Sequence, residues 1–247
     1  MTTAEVAPAT TPDSTFPSWE SLLAVVAHPD DESFGLGAVL DRFASAGARV
    51  CVLCLTKGEA STVGAVSGDL AGLRAMELQN AARTLGLEVA ILADHEDGAL
   101  AAADLVGLAA EVSAVIDRVA PEGLVVFDPS GVTGHPDHAV ATAAAMRAAE
   151  ERRLPVLGWT IPVRVAAALN DEFGTSFTGH EVSEIDVVLP VDRHRQRVAS
   201  LAHASQAVPT SVLWRRLELL GDLEHLRWLG LRTAVPNDRS GQTIEPG

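Results

Sequence analysis

The chain of 247 residues is poor in several things: it has two cysteines, no tyrosine, 4% aromatic residues, and only 18 Lys and Arg against 33 Asp and Glu, for a formal net charge of −15. That acidic surplus excludes an electrostatic grip on nucleic acid or on an anionic membrane as the main activity. No apolar run is long enough to span a bilayer, so stable membrane insertion is not expected. The first 17 residues, rich in Thr, Pro and Ala, lack the basic start and continuous apolar core of a secretion signal, and a cytoplasmic location is the expectation. Cys51 and Cys54 have the spacing of a redox or zinc pair but lie inside Arg49-Val50-Cys51-Val52-Leu53-Cys54-Leu55, which reads as a buried strand. Residues three apart on a strand point to opposite faces, so both are expected as small core residues. The remaining partner class is a small molecule.

What is present suits one sizeable core: 47% of the residues are hydrophobic and 21% charged. A single domain over residues 19–234 is expected, with flexible tails at 1–18 and 235–247. Short apolar runs at Leu22 to Ala27, Val50 to Leu55, Val89 to Leu92 and Leu124 to Phe127 alternate with helical stretches, as in successive βαβ units. Ala71, Ala75, Leu78, Ala82 and Leu85 recur at helical spacing before Gly86, and Leu105, Leu108, Val112, Ile116 and Val119 do so before Pro121. An Ala-rich helix is expected after Asp137, opened by Pro136. Strands at Val156 to Thr160 and Ile185 to Leu189, then helices near Asp192 to Ser205 and Thr210 to Leu229, complete the pattern. The fold class is α/β: a three-layer, Rossmann-like domain with a mostly parallel sheet and helices on both faces.

Two dense clusters carry the chemistry. Ala27-His28-Pro29-Asp30-Asp31-Glu32 follows the first predicted strand, and Gly134-His135-Pro136-Asp137-His138 follows the fourth through a loop. Open α/β folds place ligands at the carboxyl ends of such strands, so both clusters can reach one crevice. His28, Asp31 and His138 form a two-imidazole, one-carboxylate set that suits one catalytic zinc ion per chain, and iron or cobalt accepts the same donors. Asp30, beside a ligand but not needed as one, is placed to act as general base and then general acid. His135, as an imidazolium, can stabilise an oxyanion, and Asp137 can orient an imidazole from behind. Glu32 is expected in a structural hydrogen bond. His95, His180, His194 and His225 lack such context and are expected as surface or capping residues. Arg193, Arg195 and Arg197 read as a solvated basic face, and Val212, Leu213, Trp214 and Leu217 as core.

At these residues the chain resembles the LmbE/PIG-L family of zinc-dependent N-deacetylases, whose hallmarks are an Ala-His-Pro-Asp-Asp-Glu segment near the start and a His-x-Asp-His segment past the middle. The resemblance extends to Arg74-Ala75-Met76-Glu77-Leu78 with Leu85-Gly86, to Asp97-Gly98 and to His203-Ala204-Ser205-Gln206, covering roughly residues 20–210. It implies the same ligands, base and oxyanion stabiliser, an LmbE-like fold, and removal of an acetyl group from an N-acetylglucosaminyl unit or cleavage of a related amide. It also implies substrate contacts from Arg74 and Asp97. On sequence grounds alone Arg74 serves equally as a helix-surface ion pair with Glu77, and Asp97 as a turn residue before Gly98. Members acting on the glucosaminyl inositol precursor of mycothiol carry a tyrosine just before the second motif. This chain has Thr133 there, a shorter hydrogen-bonding group that can still reach substrate. The His203 to Gln206 segment is expected to support the pocket.

The expectation is therefore a zinc-dependent hydrolase acting on a small-molecule amino-sugar conjugate, in a chain that can also form homo-oligomers. An amidase of thiol conjugates, a phosphoester hydrolase or a non-catalytic metal-stabilised binding protein would use the same donor set.

Overall fold

The computed structural model describes residues 16–65 and 67–230, so most of the two expected tails lies outside the described residues. Among these, β1 (Ser21–Val26), β2 (Arg49–Thr56), β3 (Val89–His95), β4 (Gly123–Phe127), β5 (Val156–Thr160), β6 (Val187–Pro190) and β7 (Leu223–Trp228) form one sheet in the order β3-β2-β1-β4-β5-β7-β6. Neighbours from β3 to β5 pair in parallel, whereas β7 runs antiparallel to both β5 and β6. The helices are α1 (Asp31–Phe34), α2 (Gly37–Ser45), α3 (Leu70–Leu85), α4 (Leu105–Val119), α5 (Pro136–Arg152), α6 (Val163–Phe173), α7 (His194–Ala202) and α8 (Val212–Leu220). None of the described helices is long and apolar enough to cross a membrane.

The strands are continuously apolar because both sheet faces are covered. One face carries Leu22, Ala24, Val26, Val52, Cys54 and Val125 against α2, α3 and α6; the other carries Leu23, Val25, Cys51, Leu53 and Val126 against α4 and α5. Cys51 and Cys54 thus sit in different cores, free and buried, as their three-residue spacing requires. Helix ends follow local chemistry. The Asp69 carboxylate accepts from Gly72 N–H at the start of α3, and Gly86, at φ 73, closes it. Asp104 accepts from Val106 and Gly107 N–H at the start of α4, which stops at Ala120 before Pro121.

The region after Thr210 departs from expectation. Instead of one helix to Leu229, α8 stops at Leu220 and the chain returns as β7. The leucines at 217, 220, 223, 226 and 229 imitate a helical stripe, but Gly221, at φ 58, ends the helix. From there Glu224, Leu226 and Trp228 alternate along a strand and face the α2 side, where Glu224 accepts from Trp159 Nε1 at 2.8 Å. Two further residues differ from their expected surface roles. His225, on β7, is 5% exposed, and burial pushes its imidazole down to about 4. Arg193 is buried and ion-paired to Glu224, while Arg195, exposed, pairs with Asp41 at 3.2 Å.

The strand order reverses between β1 and β4, which opens a crevice at their carboxyl ends. Both histidine motifs begin there.

Candidate active site

β1, buried along its length, delivers His28, Pro29 and Asp30 to that crevice. The turn is strained: Asp30 has φ 120, a conformation that costs a non-glycine residue about 1–3 kcal/mol. Local bonds hold it. His28 N–H donates to Asp31 Oδ2 and Asp30 N–H to Glu32 Oε2, each at 2.9 Å. Glu32, fully buried, also meets His203 Nε2 at 2.7 Å, which fulfils its expected structural role. The loop after β4 is strained as well, with the β-branched Val132 at φ 59. Such conformations persist only where the surroundings over-determine them, and here one stands in each loop that carries a motif.

These loops bring the predicted ligands together. His28 Nδ1 lies 3.1 Å from His138 Nε2, and the Asp31 carboxylate lies 3.6 Å from the first and 3.2 Å from the second. The opposite ring nitrogens face oxygen: His28 Nε2 lies 3.0 Å from Asp97 Oδ1 and 3.5 Å from Asp137 Oδ2, and His138 Nδ1 lies 2.8 Å from Thr133 Oγ1 and 3.2 Å from Gly131 O. A metal-ligating tautomer, with the proton on the outer nitrogen of each ring, would turn the inner pair's lone pairs toward one another and toward a carboxylate. That arrangement could hold a cation. Donors around a tetrahedral zinc stand about 3.3 Å apart, close to the separations found here, so the residues fit a divalent transition metal.

The electrostatics say the same. Burial works against charge on His28, yet Asp31 and Asp97 more than offset it and raise its pKa to about 10. Burial likewise opposes charge on Asp31, but the two imidazoles hold its carboxyl well below the usual range. Ligand atoms of His28, His135 and His138, and of His28, Asp97 and Asp137, also lie within 4.8 Å of one another. The second trio is already committed: Asp137 accepts from Gly98 and Leu100 N–H at 2.8 and 3.2 Å, and Asp97 accepts from Ala60 N–H at 3.1 Å. Asp137 and Asp97 therefore stand on the outer side of the His28 ring, away from Asp31 and His138.

Asp30 stands beside this set without joining it. Burial raises its pKa to about 6, partly opposed by Arg74, whose Nη2 lies 3.0 Å from Asp30 Oδ2. Arg74 is 3% exposed and donates to Gly58 O at 2.6 Å and to Pro29 O. The alternative ion pair with Glu77 does not form, because Glu77 turns to Ser205, accepting from its N–H at 2.8 Å and its hydroxyl at 2.6 Å. Gly58 permits the close approach: a Cβ there would stand 2.2 Å from Arg74 Nη1. Ser61 Oγ and Gln206 Oε1, 2.7 Å apart, complete a brace through which the 203–206 segment supports the pocket.

His135 caps α5, its Nδ1 accepting from Asp137 N–H at 3.2 Å, and its ring stands 4.5 Å from that of His28. Desolvation, then the neighbouring imidazoles, lower its pKa, which works against the imidazolium expected from the sequence. Thr133, expected at the substrate, is engaged with His138 but still lines the cavity.

The site opens into a cavity of about 870 Å³ whose polar end is His28, Asp30, Asp31, His135 and His138. Its walls include Phe34, Phe127, Phe177, Val208, Val212 and Leu213. Val212 and Leu213 are thus cleft wall as well as packing, while Leu217 is core. Sequence reasoning missed Gly58, Glu77's brace to Ser205, and Arg216, which lines the cavity on the same face of α8 as Val212. Only the four-residue interval from Val212 to Arg216 offered a signal for the last.

Known proteins match this arrangement. The model of the PIG-L family, described as GlcNAc-PI de-N-acetylase, matches residues 23–149, just over half of the chain. A 1D-myo-inositol 2-acetamido-2-deoxy-alpha-D-glucopyranoside deacetylase of Streptomyces avermitilis is 37% identical over 156 residues, 52% of each protein. A protein of the same name from Salinispora arenicola is 31% identical with 78% of each covered. In general the chain spans about half the length of the first curated relatives it matches. The crystal structure of a deacetylase in the biosynthesis pathway of teicoplanin shares the fold, with a TM-score of 0.64 at 23% identity over 84% of this chain and 96% of that one. With both histidine motifs in place at the crevice, the chain belongs to the PIG-L family.

Proposed function

We propose that the chain is an N-deacetylase that removes the acetyl group of an N-acetylglucosaminyl-type amino-sugar conjugate, using one zinc ion held by His28, Asp31 and His138 in a catalytic domain over residues 19–234. The observation that carries this reading is the convergence of His28, Asp31 and His138 beside a buried acid, Asp30, that is not one of them, all four lining one cavity. The names of the relatives, deacetylases of acetamido sugars, support the reaction class.

When bound, zinc would supply Lewis-acid polarisation of the amide carbonyl and make water a better acid. The protein's own residues do the rest. Asp30, with a pKa near 6, takes a proton from the attacking water at neutral pH and returns it to the departing sugar nitrogen. Arg74 keeps Asp30 Oδ2 fixed and ionised for the first transfer. His135, neutral and carrying its proton on Nε2, donates to the carbonyl oxygen as negative charge develops there. Asp97 and Asp137 hold the tautomer of His28, as Thr133 and Gly131 do for His138.

The test is release of acetate and free amine across a panel of N-acetylglucosaminyl compounds, with and without chelator. Stoichiometric release of both, abolished by chelation and restored by zinc, is expected. Release of neither from any member of the panel by zinc-loaded protein contradicts the proposal, and phosphate release from phosphoester analogues would reassign the site.

A further inference from the structure

Arg216 lies on α8, is 4% exposed, and lines the same cavity as the histidine motifs. Among the described residues one hydrogen bond holds it, from Nη2 to Phe34 O, and its Nε is buried without a partner. The guanidinium lies over Trp159, 5.0 Å from the ring centroid. It has no ion-pair partner among the described residues, and the nearby carboxylates are already committed. Glu224 is taken by Arg193 and by Trp159 Nε1 at 2.8 Å, Asp31 by His28 and His138, and Asp30 by Arg74. Two buried guanidiniums, Arg193 and Arg216, thus share the neighbourhood of one carboxylate, Glu224. Burial works against charge on Arg216 and lowers its pKa to about 10, with Glu224 only partly opposing that shift and Arg193 adding to it.

A buried cation without a counter-ion is costly, and one carbonyl bond to Phe34 and the face of Trp159 do not neutralise its charge. The cost is recovered only if a negative charge arrives from the cavity. In a chain of net charge −15 such a point attraction is local, since the overall field repels anions. We propose that Arg216 is the recognition point for an anionic group, a carboxylate or a phosphate, carried by the small molecule that occupies this cavity. The guanidinium offers its unused N–H donors to two oxygens, and α8 turns Val212 and Leu213 toward the apolar part of the same ligand. Arg216 is therefore a specificity residue. The inference rests on the cavity being the substrate site.

The test is calorimetric titration of the full chain, as purified and after chelation, with N-acetylglucosamine, N-acetylmuramic acid and N-acetylglucosamine 6-phosphate. Either or both charged sugars bind about tenfold to a hundredfold more tightly than the neutral one, and whichever does names the anion. The preference persists after chelation, weakens with salt, disappears in Arg216→Gln and survives in part in Arg216→Lys. Equal binding of neutral and charged sugars by the unaltered chain overturns the proposal, as does a preference that vanishes with the metal or survives Arg216→Gln. Should Arg216→Gln fail to fold, the unaltered chain and the lysine variant still decide it. Binding separates this inference from the proposed reaction: a charge preference without amine release defeats only the reaction, and amine release without a preference defeats only the role of Arg216.

Discussion

Replacing His203 by alanine tests how the strained turn at Asp30 is held. His203 and Glu32 are both fully buried, 2.7 Å apart, and the other oxygen of Glu32 accepts the Asp30 N–H at 2.9 Å. Burial works against charge on His203, but Glu32, with Asp30 and Glu77 further off, raises its pKa. Removing one member leaves a carboxylate in the interior without its counter-charge, a loss of about 3–5 kcal/mol. For a domain of this size each kcal/mol lowers Tm by about 2–4 °C, so a fall of about 6–20 °C is expected in a calorimetric or dichroism melt. Because the same carboxylate fixes the Asp30 amide, amine release falls with it. The cycle of His203→Ala, Glu32→Gln and the double variant separates pairing from lost volume: the double variant is less destabilised than the sum of the singles by about 1–3 kcal/mol. A fall below about 2 °C for His203→Ala, or additivity of the singles, would refute the reasoning.

Asp137→Asn removes a carboxylate behind His28 that accepts two backbone N–H groups, and zinc affinity measured by chelator competition falls about 10–100-fold; unchanged affinity counts against its orienting role. Thr133→Val has a smaller effect on the same measurement, within about tenfold, because Gly131 O still accepts from His138 Nδ1 at 3.2 Å. Arg74→Met frees Asp30 from its guanidinium, so the acid limb of the pH profile of kcat/KM moves to higher pH, since Arg74 lowers the Asp30 pKa; an unmoved limb removes Arg74 from the account. His225 is buried neutral, its pKa lowered to about 4, whereas the unfolded chain takes up that proton near pH 6.5. Stability from this group is therefore full above pH 6.5 and falls, by on the order of 2 kcal/mol, as pH drops toward 4. His225→Gln flattens that part of the stability curve in denaturant titrations, and an equal slope in both proteins excludes the assignment.

The parts of the fold legible in the sequence were those with local causes. Gly86 and Pro121 end α3 and α4, the opposite-facing cysteines mark a strand covered on both sides, and the apolar runs before each histidine motif place both motifs at one sheet edge. The last third misled because its leucine spacing satisfies a helix as well as a strand, and only Gly221 breaks the ambiguity. The converging donors were visible as residue types in two clusters. Their partners were not: Arg74 on Asp30, His203 on Glu32 and Ser205 on Glu77 join positions 44 to 171 residues apart, through packing that no local pattern encodes. The buried Arg193 is the same lesson in reverse, since its neighbours Arg195 and Arg197 are exposed and the alternation around α7 hid which residue turned inward.

The central proposal, that His28, Asp31 and His138 grip one ion while Asp30 stands beside it as the base and not as a ligand, is tested most directly by metal content and amine release measured on the same preparations. About one zinc per chain in the unaltered protein, a sharp loss of zinc in His138→Ala, and full zinc with amine release at least a hundredfold lower in Asp30→Asn are predicted. Stoichiometric zinc in His138→Ala, or unimpaired amine release from Asp30→Asn, would contradict it.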